Sequence, residues 1–426
     1  MILMISILLL LLIIGTPIVF SMGIASTIWI LVSHELPLIS VPQKLFAGME
    51  HYHLLAVPVY ILVGVLMEET GIAKKLINFA MTLVGHFRHG LANAAIVGEI
   101  FFSEISGSSA ADTAAMGSLL IPSMVKEGYS RKLATAIIAA ACGMGILVPP
   151  CLSMIVYGVL ANVSIAALFA AGFLPAFLMA GALMLQLNIQ ARLNNLKSFR
   201  KRASLKEVLS SLKSASLPLM LPVIIFAGIF TGAFNVTEAG VVALCYALFL
   251  GKYVYKTITL SSLRKIIIDS FATSGTIIFL LAVATILGWI MTNKGISADI
   301  ANLVSSFGGG KITFLISLNF IFLVLGSILE GLPALTMLVP VLLPIALELG
   351  IDPLHFGIVI VANLGVGLNL PPVGINMLIA CAIGKVTVQD VARPLLPFLA
   401  VNFGVVLIIT YWPWVVLVIP KLMGLY

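Results

Sequence analysis

Apolar residues run along this chain in windows close to the roughly 20 residues needed to cross a bilayer, and the windows recur from one end of the sequence to the other. The clearest cover 2–20, 54–68, 91–103, 133–160, 164–190, 217–234, 236–251, 271–292, 312–329, 354–383 and 394–419, several interrupted by Gly or Pro. The pattern predicts an all-α polytopic membrane protein. The first window continues in apolar sequence to Val32, with no positive charge before it and no convincing cleavage site, which predicts a retained membrane helix rather than a signal peptide. Two stretches, 104–125 (EISGSSAADTAAMGSLLIPSMV) and 328–347 (ILEGLPALTMLVPVLLPIAL), are broken by Gly, Ser or Pro, and the first puts Glu104 and Asp112 at membrane depth. Irregular backbone is tolerated there only inside protein or along a cavity, so both predict re-entrant helical hairpins. Amphipathic stretches at 72–88 and 258–269 predict interfacial arms or ordinary surface helices.

The breakers are themselves repeated. Pro122 and Pro344, Gly128 and Gly350, and Pro175 and Pro397 are each 222 residues apart, and so are the two runs Gly143–Pro150 (GMGILVPP) and Gly365–Pro372 (GVGLNLPP). Upstream, a slip of two residues sets Ser103, Ser106 and Gly107 over Ser327, Glu330 and Gly331. The loop after the first predicted hairpin is basic (Lys126, Arg131, Lys132) and its counterpart acidic (Glu348, Asp352), which predicts that they face opposite sides of the membrane. An inverted-topology repeat follows, an architecture that places substrate and ion sites at the midplane where broken helices meet.

Composition narrows the function. With 61% hydrophobic and 9% charged residues the chain is far from the soluble average. A net charge of +7, from 23 Lys and Arg against 16 Asp and Glu, leaves no basic surface broad enough for nucleic acid. The stretch 191–213 carries Arg192, Lys197, Arg200, Lys201, Arg202, Lys206 and Lys213 against a single acid, Glu207, and reads as a cytoplasmic linker. Cys142, Cys151, Cys245 and Cys381 show neither disulfide nor zinc spacing. The six histidines form no HExxH, there is no GxSxG, and Gly308-Gly309-Gly310-Lys311 lacks the first glycine and the hydroxyl residue of a P-loop. Ser106-Gly107 leaves an intramembrane serine enzyme as a remote alternative, without a histidine at depth to activate it. No filter motif supports a passive channel.

In each GxGxxxPP run the prolines remove two amide donors while the glycines allow close approach. Carbonyl oxygens freed in this way, with the hydroxyls of Ser103 and Ser106, suit a hard monovalent cation such as Na+, and half-helix N-termini suit an anion. Ser108, Ser109, Asp112, Thr113, Thr336 and Asn369 supply polar groups for a hydrophilic ligand, and Glu99, Glu104, Asp112, Glu238 and Glu330 are intramembrane carboxylates that are functional candidates by default.

The runs 102–110 (FSEISGSSA), 236–240 (VTEAG) and 367–374 (GLNLPPVG) resemble the large membrane subunit of TRAP (tripartite ATP-independent periplasmic) transporters, and the resemblance spans essentially the whole chain. It implies an elevator-type, sodium-driven importer of organic acid anions of the sialic acid or C4-dicarboxylate type, in the bacterial inner membrane. It also implies a small membrane subunit of about four helices and a periplasmic substrate-binding protein. Carried onto this sequence, the family's sodium site falls on Ser103, Ser106, Gly145, Val148 and Pro150. The repeat then proposes a second on Gly326 or Ser327 with Gly367, Leu370 and Pro372. Substrate contacts are expected at Ser108, Ser109, Asp112, Thr336 and Asn369. Glu104 and Glu330 stand where the resemblance leads one to expect neutral residues. The expected organisation is scaffold and arm helices over 1–90, a first transport repeat over 91–190, linker, scaffold and arm over 191–310, and a second transport repeat over 311–426. A two-component sodium symporter needing no binding protein is the alternative.

Overall fold

A computed structural model describes residues 2–193, 202–295 and 310–426, and its regular structure is helical throughout these residues. In chain order the helices are α1 (Ile2–Ile13), α2 (Ile18–Ser33), α3 (Ser40–Met49), α4 (Ala56–Glu69), α5 (Ala73–Val84), α6 (Gly90–Ser106), α7 (Ser109–Lys126), α8 (Arg131–Gly145), α9 (Leu152–Ala161) and α10 (Ile165–Leu193). They continue as α11 (Leu205–Phe230), α12 (Val236–Phe249), α13 (Leu260–Asn293), α14 (Gly310–Ile328), α15 (Gly331–Glu348), α16 (Pro353–Gly367), α17 (Ile375–Gly384), α18 (Val388–Tyr411) and α19 (Pro413–Leu422). Among the described residues eight helical segments are long and apolar enough to cross a membrane. Of the sequence features singled out above, Lys197, Arg200, Lys201, Gly308 and Gly309 lie outside the described residues.

The repeat extends to the ends of the helices. Helices α7 and α15 start and stop 222 residues apart, as do α8 and α16. Ser130 and Asp352 cap α8 and α16 respectively, Ser130 accepting the Leu133 N–H at 3.3 Å and Asp352 the Leu354 and His355 N–H groups at 2.9 and 3.0 Å. Both Pro-Pro bonds, Pro149–Pro150 and Pro371–Pro372, are cis. The packing has the same two-fold logic. α7 lies against α8 and reaches across to α17, while α15 lies against α16 and reaches across to α9; α8 and α16 cross at the centre. α8 packs on α18 and α16 on α10, again as exchanged partners.

The segmentation differs from the hydropathy windows at several places. Window 2–20, expected as one retained membrane helix, is split into α1 and α2 at Gly15-Thr16-Pro17, and 394–419 spans parts of α18 and α19 on either side of Trp412. Windows 91–103 and 104–125 are one hairpin, α6 and α7, because Gly107 ends α6 in the left-handed region (φ 65°) and Ser108 caps α7 by accepting the Ala111 N–H at 3.4 Å. Likewise 312–329 and 328–347 are the two arms of a second hairpin, α14 and α15, turning at Leu329–Glu330. Windows 133–160 and 354–383 are each two helices around the Pro-Pro break. The 258–269 stretch forms the start of the continuous α13 rather than a separate arm, whereas 72–88 does contain a short helix of its own, α5, packed against α6 and α11. Glu207 and Glu238, two of the conspicuous acids, close capping boxes with Ser204 and Asn235 at the starts of α11 and α12.

Candidate functional site

The two hairpin tips and the two Pro-Pro breaks converge on one cavity of about 220 Å³. Ser106–Ala111 of the first tip and Glu330–Leu332 of the second face it, with Ile146 and Leu368 from the breaks and Leu152, Ser153, Ile375 and Asn376 from the helices that restart after them. Its remaining wall is Ile61, Val65 and Glu68 of α4 and Thr273 and Ile277 of α13, outside the repeats. The first turns of α7, α9, α15 and α17 therefore all open onto the same space. Each helix start carries about half a unit of positive charge on unsatisfied N–H groups, and among the described residues no Lys, Arg or His lines the cavity. The helix starts favour an anionic group without a basic side chain to hold it, while the Glu68 and Glu330 carboxylates in the same lining oppose one.

Behind the first tip lies a fully buried polar cluster. The Ser103 hydroxyl donates to the Gly145 carbonyl at 2.7 Å, and the Ser106 hydroxyl donates to the Asp112 carboxylate. Asp112 in turn lies against Glu99, which accepts from the Cys142 thiol at 3.4 Å. Ser109 donates to the Cys142 carbonyl at 2.6 Å and accepts from the Asn376 amide at 2.5 Å, tying the first hairpin to α17 of the other repeat. One oxygen of each carboxylate, Glu99 Oε1 and Asp112 Oδ2, is buried without a hydrogen bond.

Of the residues expected at the first cation site, Ser103, Ser106 and Gly145 share this cluster. Val148 N–H closes a tight turn onto the Gly145 carbonyl at 2.9 Å, and Pro150 sits beside Gly107. The carbonyls of Val148 and Pro150 accept no hydrogen bond among the described residues, so hard oxygen donors are free beside two serine hydroxyls. In the second repeat the Gly367 and Gly326 backbones are in contact, and Leu370 N–H closes onto Gly367 at 2.9 Å, as Val148 does onto Gly145. There the Ser327 hydroxyl turns back to Val324 O at 2.7 Å, and the Leu370 carbonyl already accepts Gly374 N–H at 3.0 Å. Pro372 follows Leu370 in the break. The pairing of Gly326 with Gly367 is formed, whereas the Ser327 hydroxyl faces its own helix.

The residues expected at the substrate separate into two groups. Ser108 and Ser109 line the cavity. Asp112, Thr336 and Asn369 are buried behind it: Asp112 holds Ser106, Thr336 donates back to Leu332 and Pro333 at 3.0 Å, and Asn369 donates to Gly365 O at 3.0 Å where α8 and α16 cross. Glu104 lies on the far side of the first tip in a separate crevice with Tyr60 and Pro150. Asn376, Ser153, Glu68 and Thr273 line the cavity without having been singled out in the sequence. Asn376 and Ser153 were findable in principle, since each falls in the first turn after a Pro-Pro break. Ser106, the remote nucleophile candidate, bonds to a carboxylate, and among the described residues no histidine lines its cavity.

Comparisons with known proteins agree with this geometry. The family model "Tripartite ATP-independent periplasmic transporter, DctM component" matches residues 5–415. The chain is 38% identical over 433 residues to the C4-dicarboxylate TRAP transporter large permease protein DctM of Vibrio cholerae, covering 96% of this chain and 95% of that one. It is 35% identical over 408 residues to the sialic acid TRAP transporter large permease protein SiaM of the same organism, covering 96% and 95%. To the isethionate TRAP transporter permease protein DctMQ of Oleidesulfovibrio alaskensis it is 36% identical over 402 residues, covering 94% of this chain and 63% of that longer one. Among solved structures, the Alcanivorax borkumensis YdaH transporter matches with a TM-score of 0.59 at 14% identity, covering 88% of this chain and 87% of that one, which is a likeness of fold. The chain thus belongs to the DctM family, a multi-pass large permease component of a tripartite ATP-independent periplasmic transporter and not an enzyme.

Proposed function

We propose that the chain imports an organic acid anion across the bacterial inner membrane, driven by sodium, together with a small membrane subunit and a periplasmic binding protein that delivers the substrate. The observation that carries this reading is the cavity onto which four helix starts open, flanked by hydroxyl and carbonyl oxygens at a broken helix. Sodium on Ser103, Ser106, Gly145, Val148 and Pro150 ties the first tip to the break, and a second ion on Gly326 or Ser327, Gly367, Leu370 and Pro372 does the same across the two-fold. Both ions draw the tips together and add positive charge beside the substrate, so ion and substrate bind better together than singly, as coupling requires. For the second site Ser327 must rotate away from Val324, or Gly326 must supply its carbonyl instead.

In this reading the two repeats move as one body against the remaining helices. The reading is supported by the position of the cavity, which takes one wall from the repeats and the other from α4 and α13. A substrate held there crosses when the repeats slide along that wall. The relatives named for sialic acid, C4-dicarboxylate and isethionate bracket the substrate class as organic acids.

Two substitutions test the ion site. Ser103→Ala removes a hydroxyl ligand, and a Cβ on Gly145 would stand 2.7 Å from Ser103 Oγ and against the Glu99 carboxyl, displacing both. Each is expected to raise the sodium concentration for half-maximal uptake several-fold while leaving substrate recognition by the binding protein unchanged. Sodium curves that coincide with wild type in both variants would remove the ion from this place. A third substitution reports on the cavity wall: Asn376→Ala leaves the Ser109 hydroxyl without its donor and is expected to raise KM for the substrate about tenfold, the cost of one buried hydrogen bond at about 1.4 kcal/mol. An unchanged KM places the substrate elsewhere.

A further inference from the structure

The cavity lining carries a charge pattern that the relatives' substrates do not share out equally. Glu68 and Glu330 both line it, and neither has an ion-pair partner among the described residues. Glu330 occupies the cap position of α15, yet its side chain makes no capping bond. A third acceptor comes from Asn376, which is fully buried. The Ser109 proton goes to the Cys142 carbonyl, so Ser109 Oγ must receive the Asn376 amide N–H, and this fixes Asn376 Oδ1 as a free acceptor without a partner. The four helix starts offer about +0.5 each, a total that the two carboxylates of unit charge match.

A dicarboxylate placed in this space would bring two further negative charges against the half-buried Glu68 and the exposed Glu330, neither of which is ion-paired among the described residues, and like charges disfavour one another. A ligand with one carboxylate and several hydrogen-bond donors meets every group: its anionic end takes the N–H groups of a helix start, and its donors satisfy Glu68, Glu330 and Asn376. We infer that the substrate of this transporter is a monocarboxylate whose remainder carries hydrogen-bond donors, hydroxyl or ammonium, and that Glu68 and Glu330 are the residues that select it against dicarboxylates. This inference rests on the importer reading and narrows it to one substrate class.

The test is the thermal stability of the detergent-solubilised complex of this chain with its small membrane partner, in sodium chloride, with gluconate, proline or succinate added at equal concentration. Gluconate or proline is expected to raise the midpoint by about 2–4 °C, and succinate to leave it in place. If the donors are ammonium, proline acts and the shift is lost in both Glu68→Gln and Glu330→Gln. If they are hydroxyls, gluconate acts and the shift is at least halved in each variant, because Gln keeps one acceptor but loses the charge. Stabilisation by succinate equal to the others, stabilisation by none of the three, or shifts unaltered in both variants overturns the assignment. Because this readout needs no transport, a failure of sodium-driven uptake with the binding pattern intact would count against the importer reading alone.

Discussion

Gly143→Ala is expected to leave little folded transporter. At this position α8 and α16 cross with their backbones in contact. A Cβ on Gly143 would fall on the Asn369 amide and stand 2.7 Å from the Gly365 carbonyl oxygen. The reciprocal position is equally closed, since a Cβ on Gly365 would meet the Gly143 carbonyl and lie 2.6 Å from Ile146. Backbone atoms cannot rotate away as side chains do, so the helices must separate, at a cost of about 3 kcal/mol or more. The separation would also pull apart the breaks that follow each glycine. Gly404, in α18, is the control: nothing lies within 4 Å of its added Cβ, and Gly404→Ala is expected to be neutral or to stabilise by up to about 1 kcal/mol through helix propensity. The comparison is made on the unfolding midpoints of the solubilised proteins. Equal midpoints would mean that the two repeats do not cross here.

The second large effect is expected at Asp112. Its carboxylate takes the Ser106 proton, which leaves the Ser106 oxygen lone pairs for the proposed cation, and from its fully buried position it would place negative charge behind that cation. Asp112→Asn keeps the size but can donate its amide hydrogens to the same serine oxygen. A hydrogen bond to a charged group contributes about 1.5–3 kcal/mol, so the sodium concentration for half-maximal uptake is expected to rise between about tenfold and a hundredfold. Ser118→Ala, which removes an exposed hydroxyl bonded only to Ala115 of its own helix, should leave that concentration near wild type. A sodium curve unmoved by Asp112→Asn would dissociate the buried carboxylate from the ion.

The repeat was legible because it is written in residues that leave the backbone no choice. The Pro-Pro runs and the Gly128/Gly350 pair, each 222 residues apart, mark where helices stop, whereas Pro122, Pro344, Pro175 and Pro397 lie inside helices; α7 with α15 and α8 with α16 obey the same spacing at both ends. The hairpin tips were less legible, since hydropathy does not mark a turn between two apolar arms; Gly107-Ser108, a left-handed stop followed by a cap, was the available signal. The cluster around Ser103, Ser106 and Gly145 follows from the resemblance, but the position of Asp112 behind Ser106 rather than toward the cavity does not. That depends on which face of α7 meets α8, a tertiary fact. Glu68 reaches the cavity for the same reason, by packing of α4 against the repeats, whereas Asn376 is marked by its place in the first turn after a Pro-Pro break and only its bond to Ser109 depends on the exchange of α17 across the two-fold.

Sodium-coupled delivery from a binding protein is tested most directly by uptake into proteoliposomes. The vesicles would contain this chain and its small membrane partner, and would be offered a labelled panel of sialic acid, succinate, malate and a sugar acid. Each substrate is measured with and without an inward sodium gradient and with and without the binding protein. Uptake that requires both is the expected result. Uptake driven by sodium without the binding protein would make the chain part of a two-component symporter, and uptake indifferent to sodium would contradict the ion sites altogether.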